Sequence, residues 1–244
     1  LFKTVLSRFL LPFFLLLATT SVFSAEDDIE TLKKALAEKL PNIVVSSINK
    51  TPIPGVFEVM VGDQIVYLEK NARYMLNGDM IDLSTRENLT NNAKTGIRLA
   101  AISKQSEDDM LVYTPKKVDH TVTVISDVDC YYCRRLHSEM NQYMENNIKV
   151  RYIFMPLKGK VSYEKTVSVW CAKDQNKALD LVKGGGNIEP VTCDNPIEQH
   201  LAVARGLGIN GTPAIILESG ELIPGYVEIS ELVTKLNKAK LVVN

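Results

Sequence analysis

The sequence lacks any imbalance of charge. Its 28 Lys and Arg residues face 29 Asp and Glu residues, a formal net charge of −1 over 244 residues. That removes the electrostatic case for nucleic acid as a partner. It also lacks a comfortable membrane span. The apolar run at 9–18 is interrupted by Pro12 and falls short of the roughly 20 residues a bilayer needs. There is no internal repeat and no low-complexity tract, which excludes solenoid and array architectures. Cysteine is scarce, with four residues. A four-cysteine zinc site, which needs two close pairs, is disfavoured because only one pair is close. What remains is 45% hydrophobic, enough for one large domain or two smaller ones.

The N-terminus is read apart from the fold. Lys3 and Arg8 precede the apolar run, and small and polar residues follow at 19–25. This is the layout of a secretory signal peptide at 1–24, with Val22 and Ser24 at the small-residue positions of the cleavage site. The competing reading is an uncleaved anchor. All four cysteines lie beyond this leader, and an even count in an exported chain suggests disulfides.

From residue 25 to 84 the pattern is a small α+β unit. An amphipathic helix is predicted at 27–39, with Ile29, Leu32, Leu36 and Leu40 on its buried side and Pro41 after it. Two hairpins are predicted next. One turns at Gly62-Asp63; the other pairs 73–76 with 80–83 across Asn77-Gly78-Asp79. So small a unit would gain by pairing with a second copy of itself. Residues 85–105 are predicted as a helix with a thin stripe of Leu89, Ala93, Ile97 and Ala100. The alternatives are a spacer between domains, which is preferred, and an ordinary packed helix.

From 106 to 244 strands and helices alternate. Predicted strands at 118–125 and 149–155 flank a helix at 131–145. Helical stretches at 162–183, a helix at 195–207 with Asn195 as N-cap, a hairpin around Ser219-Gly220 and a helix at 228–240 follow. Cys130 falls where the first strand ends and its helix begins. Unpaired N–H groups and the positive end of the helix dipole favour a thiolate there. Cys133 lies one turn on, on the apolar face with Leu136, Met140 and Tyr143. One cysteine is placed to attack and the other to resolve. His137 follows near the same face; it either modulates the thiols or, the preferred reading, packs. Arg134 and Arg135 read as solvated surface.

A Cys-x-x-Cys at the strand-to-helix turn of a βαβ unit, with a Thr-Pro before a closing hairpin and helix, resembles the thioredoxin fold. Cys130-Tyr131-Tyr132-Cys133, Trp170-Cys171-Ala172-Lys173-Asp174, Cys193-Asp194, Gly211-Thr212-Pro213-Ala214 and Pro224-Gly225-Tyr226 together resemble the DsbC family of bacterial periplasmic disulfide isomerases. The resemblance covers essentially the whole exported chain. It implies an α/β catalytic domain of thioredoxin fold at 106–244, a dimerisation domain at 25–84 and a linker helix at 85–105. It further implies a periplasmic homodimer that rearranges non-native disulfides of misfolded exported proteins, with chaperone-like binding. No metal or cofactor is called for, and a DsbD-like membrane protein keeps the dithiol reduced. By position Cys130 is the nucleophile, Cys133 the resolving thiol and Thr212-Pro213 a cis-proline loop that binds substrate. Tyr131 and Tyr132 offer aromatic area to clients. Cys171 and Cys193, with Gly184-Gly185-Gly186 between them, are assigned to a structural disulfide whose loop closure is worth roughly 3 kcal/mol.

Two departures matter. Tyr-Tyr replaces the Gly-Tyr of the best-known members between the cysteines. The position six residues before Cys130, an Asp in cytosolic thioredoxins, is Val124 here, so proton transfer from Cys133 needs water or another polar group. The alternatives are a periplasmic thiol oxidase or sulfenic-acid reductase on the same scaffold, and a holdase in which the cysteines are incidental.

Overall fold

The computed structural model describes residues 25–61 and 64–243; the leader expected at 1–24 lies outside them. Helix α1 (Ala25–Lys39) has Glu26, Asp27 and Asp28 in its first turn and Lys39 in its last, the favourable arrangement for its dipole. It lays Leu32 and Leu36 on an antiparallel sheet of β1 (Val45–Lys50), β2 (Val56–Val61), β3 (Gln64–Glu69) and β4 (Met75–Leu76) in that order. Phe57, Val59, Val66 and Leu68 complete this small core.

The first predicted hairpin is present as β2 and β3, its Gly62-Asp63 tip outside the described residues. The second is not. Met75 and Leu76 pair back on β3 instead, and residues 80–83 form no strand; Ile81 makes a lone bridge to Asn88. Side chains take the backbone donors that a ladder would need. Thr90 Oγ1 accepts from the Met80 N–H at 2.8 Å, and Asp82 Oδ1 accepts from Ser84 and Thr85 at 2.8 and 3.3 Å. Local bonds of this kind compete directly with sheet formation.

Helix α2 (Leu89–Ser103) starts at Asn88, whose Oδ1 accepts from the Asn91 N–H. Its buried residues are Thr90, Arg98 and Ile102 rather than the predicted stripe, and Ala100 is exposed. Thr90 shares a hydrogen bond with the Tyr67 hydroxyl of β3. At the other end Arg98 donates to the Gly220 carbonyl at 3.5 Å. A Cβ on Gly220, whose φ is +82°, would sit 2.7 Å from the Leu99 side chain and the Thr95 carbonyl. The helix is thus tied to β3 near its start and to Gly220 further along.

The second sheet follows a 3₁₀ turn at Glu107–Asp109. Its elements are β5 (Leu111–Tyr113), β6 (His120–Ser126), α3 (Tyr131–Ser138), α4 (Met140–Glu145), β7 (Ile148–Phe154), α5 (Lys160–Trp170), α6 (Gln175–Lys183), α7 (Ile197–Gly206), β8 (Ala214–Leu217), β9 (Leu222–Pro224) and α8 (Ile229–Val243). The strand order is β5-β7-β6-β8-β9, parallel only between β6 and β7. On central β6, Val122 and Val124 enter one core with Leu136, Tyr143 and Leu236, while Ile125 enters the other with Leu201, Ala204 and Ile216. Alternation along the strand thus fills both faces.

Besides shifts of a few residues at element ends, a helix break and a helix cap differ from expectation. The helix predicted at 131–145 breaks at Glu139 (φ −98°, ψ 10°), whose carboxylate accepts from the Tyr226 hydroxyl at 2.6 Å and pairs with Arg135 at 3.2 Å. The cap of α7 is Pro196, not Asn195, although Asn195 Oδ1 still accepts from the Ile197 N–H at 3.3 Å.

Candidate active site

β6 ends at Ser126, and Asp127, Val128 and Asp129 turn the chain into α3, with Cys130 at the N-cap (φ −74°, ψ 130°). Asp127 is fully buried and builds this turn. Its Oδ1 accepts from the Asp129 N–H and the Ser162 hydroxyl, both at 2.7 Å. Its Oδ2 accepts from the Leu157 and Lys158 N–H groups at 2.6 and 3.2 Å. One carboxylate thus ties the cysteine turn to the β7–α5 loop. Asp129 holds Arg134 at 3.1 Å and Lys165 at 2.6 Å.

Cys130 and Cys133 are free thiols, the first half-buried and the second 1% exposed. Burial is the largest influence on Cys130 and opposes ionisation. It is outweighed by hydrogen bonds from the Thr212 side chain, the Cys133 N–H and thiol and the Tyr132 N–H, so the Cys130 pKa falls below that of an ordinary thiol. Thr212 acts in both senses, because its carbonyl lies 3.1 Å from Cys130 Sγ and accepts from the protonated thiol. For Cys133 burial wins. Its pKa is raised even though the Lys183 charge, Ser126, the Asp127 backbone and Thr212 all pull it down. The Thr212–Pro213 peptide is cis and brings Thr212 against the thiols from the start of β8.

Tyr131 and Tyr132 are 74% and 57% exposed, and Tyr132 stacks on Tyr226 with centroids 6.5 Å apart. Arg135 is exposed, as expected of solvated surface, whereas Arg134 is partly buried. Arg134 donates to the Val128 carbonyl and the Asp129 carboxylate, and Arg135 reaches Tyr226 and Glu139. His137 is a packed residue between the Tyr152 hydroxyl at 3.0 Å and Asp180 at 2.9 Å. Burial, followed by the nearby Lys183 charge, pushes its pKa down to about 4. Cys171 and Cys193 form a disulfide with Cα atoms 5.7 Å apart. It joins the end of α5 to the loop before α7.

Sequence reasoning did not find Ser126, Asp127 or Lys183. Lys183, at the end of α6, lies under the dithiol with its Nζ donating to Ser126 Oγ at 2.7 Å and the Asp127 carbonyl at 2.9 Å. A half-exposed thiol of lowered pKa beside a buried partner thiol can open a disulfide by exchange and close one by internal attack.

This fold and this site define a thioredoxin-fold thiol:disulfide oxidoreductase. Residues 107–240 match the model of a thioredoxin-like domain, and residues 23–91 match that of the disulfide bond isomerase protein N-terminal domain. The chain belongs to the DsbC family of thiol:disulfide interchange proteins, and its activity is the exchange of thiols and disulfides that isomerises protein disulfides. It is 36% identical over 223 residues to thiol:disulfide interchange protein DsbC of Escherichia coli strain K12, covering 90% of this chain and 91% of that protein. Against its namesake in Dickeya dadantii strain 3937 the identity is 32% over 232 residues, covering 93% of each chain. A crystal structure of a disulfide interchange protein from Neisseria gonorrhoeae superposes with a TM-score of 0.50 at 27% identity, covering 55% of this chain and 98% of that one.

Proposed function

We propose that Cys130 is the nucleophile and Cys133 the resolving thiol of this exchange. The observation that carries the assignment is their asymmetry: Cys130 sits half-exposed at a helix N-cap with a lowered pKa, and Cys133 is buried with a raised one. The Cys130 thiolate attacks a client disulfide, forming a mixed disulfide and expelling a client thiolate. Either a client thiol then attacks the client sulfur of the mixed disulfide, giving a new pairing, or Cys133 attacks Cys130 Sγ, releasing reduced client and an oxidised enzyme. A stabilised Cys130 thiolate is also a good leaving group, so clients are released readily.

Thr212 and Pro213 form the client-binding loop in this reading. Extended client backbone lies beside them, held by hydrogen bonds tolerant of sequence, and exposed Tyr131 and Tyr132 give apolar contact. The disulfide between Cys171 and Cys193 is structural and takes no part in exchange.

The proposed organisation is a dimerisation domain at 25–84, a linker helix at 85–105 and a catalytic domain at 106–244, behind a leader at 1–24. The protein works in the periplasm as a homodimer on misfolded, disulfide-containing exported proteins, and a DsbD-like membrane protein keeps it reduced. A matching N-terminal isomerase domain supports the dimer. No helix among the described residues is long and apolar enough to cross a membrane.

The test is recovery of activity from a client with scrambled disulfides, together with alkylation at mildly acidic pH. Wild type should restore the client and be alkylated first at Cys130. Cys133→Ala should accumulate mixed disulfides while keeping part of the isomerisation. Faster alkylation of Cys133 would reverse the two roles.

A further inference from the structure

Lys183 is a buried cation that the exchange chemistry has not yet used. It is 4% exposed, at the last turn of α6. No carboxylate among the described residues forms an ion pair with it. Its two partners are neutral oxygens, Ser126 Oγ at 2.7 Å and the Asp127 carbonyl at 2.9 Å. The Asp127 carboxylate is already occupied by Asp129, Leu157, Lys158 and Ser162. An ammonium has three protons to give, and two are placed. A buried charge held only by neutral oxygens is costly unless a negative charge forms nearby.

The Asp127 carboxylate offsets part of that charge, and the strongest negative influence on Lys183 is sulfur. Ser126 accepts from Lys183 and also lies within hydrogen-bonding reach of Cys133, as does the Asp127 backbone. The two residues that hold Lys183 are thus the two that flank the buried thiol. We infer that Lys183 is the positioning residue for the resolving step, the buried counter-charge that lets Cys133 become a thiolate and, through Ser126, orients it. With Val124 in the strand, the proton itself leaves to solvent, and Lys183 stabilises the thiolate left behind.

The other charged or titratable groups around it fit this assignment. From α3 and its N-cap come Cys130, Cys133, Arg134 and His137; from the turn, Asp127; from β7, the Tyr152 ring, 6.0 Å from Nζ. On its own helix Asp180 is engaged by His137 and Tyr113. Arg134 is held by Asp129, and His137, with its lowered pKa, is neutral at physiological pH. Burial pulls the Lys183 pKa down to about 8, and the negative charge of Cys133 is the strongest influence pulling it back up.

In the mixed disulfide between Cys130 and a client, Cys133 gives up its proton to solvent and its thiolate attacks Cys130 Sγ. The Cys133–Cys130 bond forms and the Cys130–client bond breaks. The electron pair leaves on the client sulfur, which takes a proton from solvent. The client sulfur is reduced and the dithiol oxidised, with no further reagent. Closing the disulfide removes the thiolate that Lys183 stabilises and leaves only the Asp127 charge to offset it. The oxidised form is therefore disfavoured, and the pair becomes more oxidising and easier to reduce.

Lys183→Met in the full mature chain tests this. The glutathione mixed disulfide should resolve about three- to tenfold more slowly, because the smaller thiolate fraction at Cys133 is partly offset by a more nucleophilic sulfur. The midpoint against glutathione should move towards a disulfide that is harder to reduce. Lys183→Arg keeps the charge and should restore both readouts in large part. A surface cleft of about 350 Å³ lined by Arg134, His137 and Lys183 gives the larger head room. Unchanged resolution rate and midpoint in a folded Lys183→Met protein would overturn the inference. A second measurement uses the unaltered protein. The ¹⁵N signal of the Lys183 amine should titrate at a lower pH when the dithiol is oxidised than when it is reduced. Identical titration in both redox states contradicts the inference even if both variants fail to fold. The inference rests on Cys133 as the resolving thiol. Its failure is distinguishable, because it would leave the order of alkylation at Cys130 and Cys133 as proposed.

Discussion

The two cysteine pairs of this chain share one element and almost nothing else. Cys130 and Cys133 are free thiols at the start of α3, one half-buried at an N-cap and one buried over a cation. Cys171 and Cys193 are joined across 22 residues, one at the end of α5 and the other in a loop. The first pair has donors aimed at its sulfurs from Thr212, the helix start and Ser126. The second closes a loop and restricts the unfolded chain. Environment, not the presence of sulfur, separates a reactive pair from a structural one.

The largest effect should come from removing the attacking sulfur. Cys130→Ala is expected to lower isomerisation of a scrambled client by at least about a thousandfold, with melting temperature little changed. Residual activity near wild type would erase the distinction between the pairs. Replacing Cys171 and Cys193 together by Ser should do the reverse. Denaturant unfolding should show a loss of about 3 kcal/mol, with the redox midpoint of the first pair nearly unmoved. Retained stability with lost catalysis would make the second pair a redox centre.

Acid should sharpen the contrast. His137 braces α3 under the reactive pair, and its folded pKa of about 4 lies below the ordinary 6.5. The unfolded chain binds this proton first, so the stability from the neutral, buried ring is present above about pH 6.5. It is lost as pH falls towards 4, by up to about 3 kcal/mol. Unfolding curves at pH 7 and pH 4.5 should differ less in His137→Gln than in wild type. The smallest effect is expected at Tyr132, stacked on Tyr226 at the rim of the site. Tyr132→Ala should weaken client binding by about 1 kcal/mol and leave exchange with glutathione unchanged; slowed glutathione exchange would move Tyr132 from client contact into the reacting centre.

Much of this site was legible because its chemistry is local. A Cys-x-x-Cys after an apolar strand marks a helix start, and Thr212-Pro213 stands immediately before β8. Lys183 was not legible. A lysine in the last turn of a helix, followed by Gly184-Gly185-Gly186, reads as a solvated complement to the dipole. Only the packing of α6 against α3 turns it inward. Ser126 and Asp127 are hidden for a similar reason, since their partners come from α5, α6 and the β7–α5 loop. The hairpin expected at 73–83 fails because Thr90, ten residues beyond Met80, takes a strand donor. The break at Glu139 depends on Tyr226, 87 residues away. Periodicity reports neighbours along the chain, and these features are decided by neighbours in space.

The most direct measurement is a glutathione titration of the mature protein followed by thiol labelling and mass spectrometry of each cysteine. Two well-separated midpoints are expected, with Cys130 and Cys133 reduced under mild conditions while Cys171 and Cys193 stay joined. Reduction of both pairs together, or of the Cys171–Cys193 disulfide first, would contradict the division into a reactive and a structural pair.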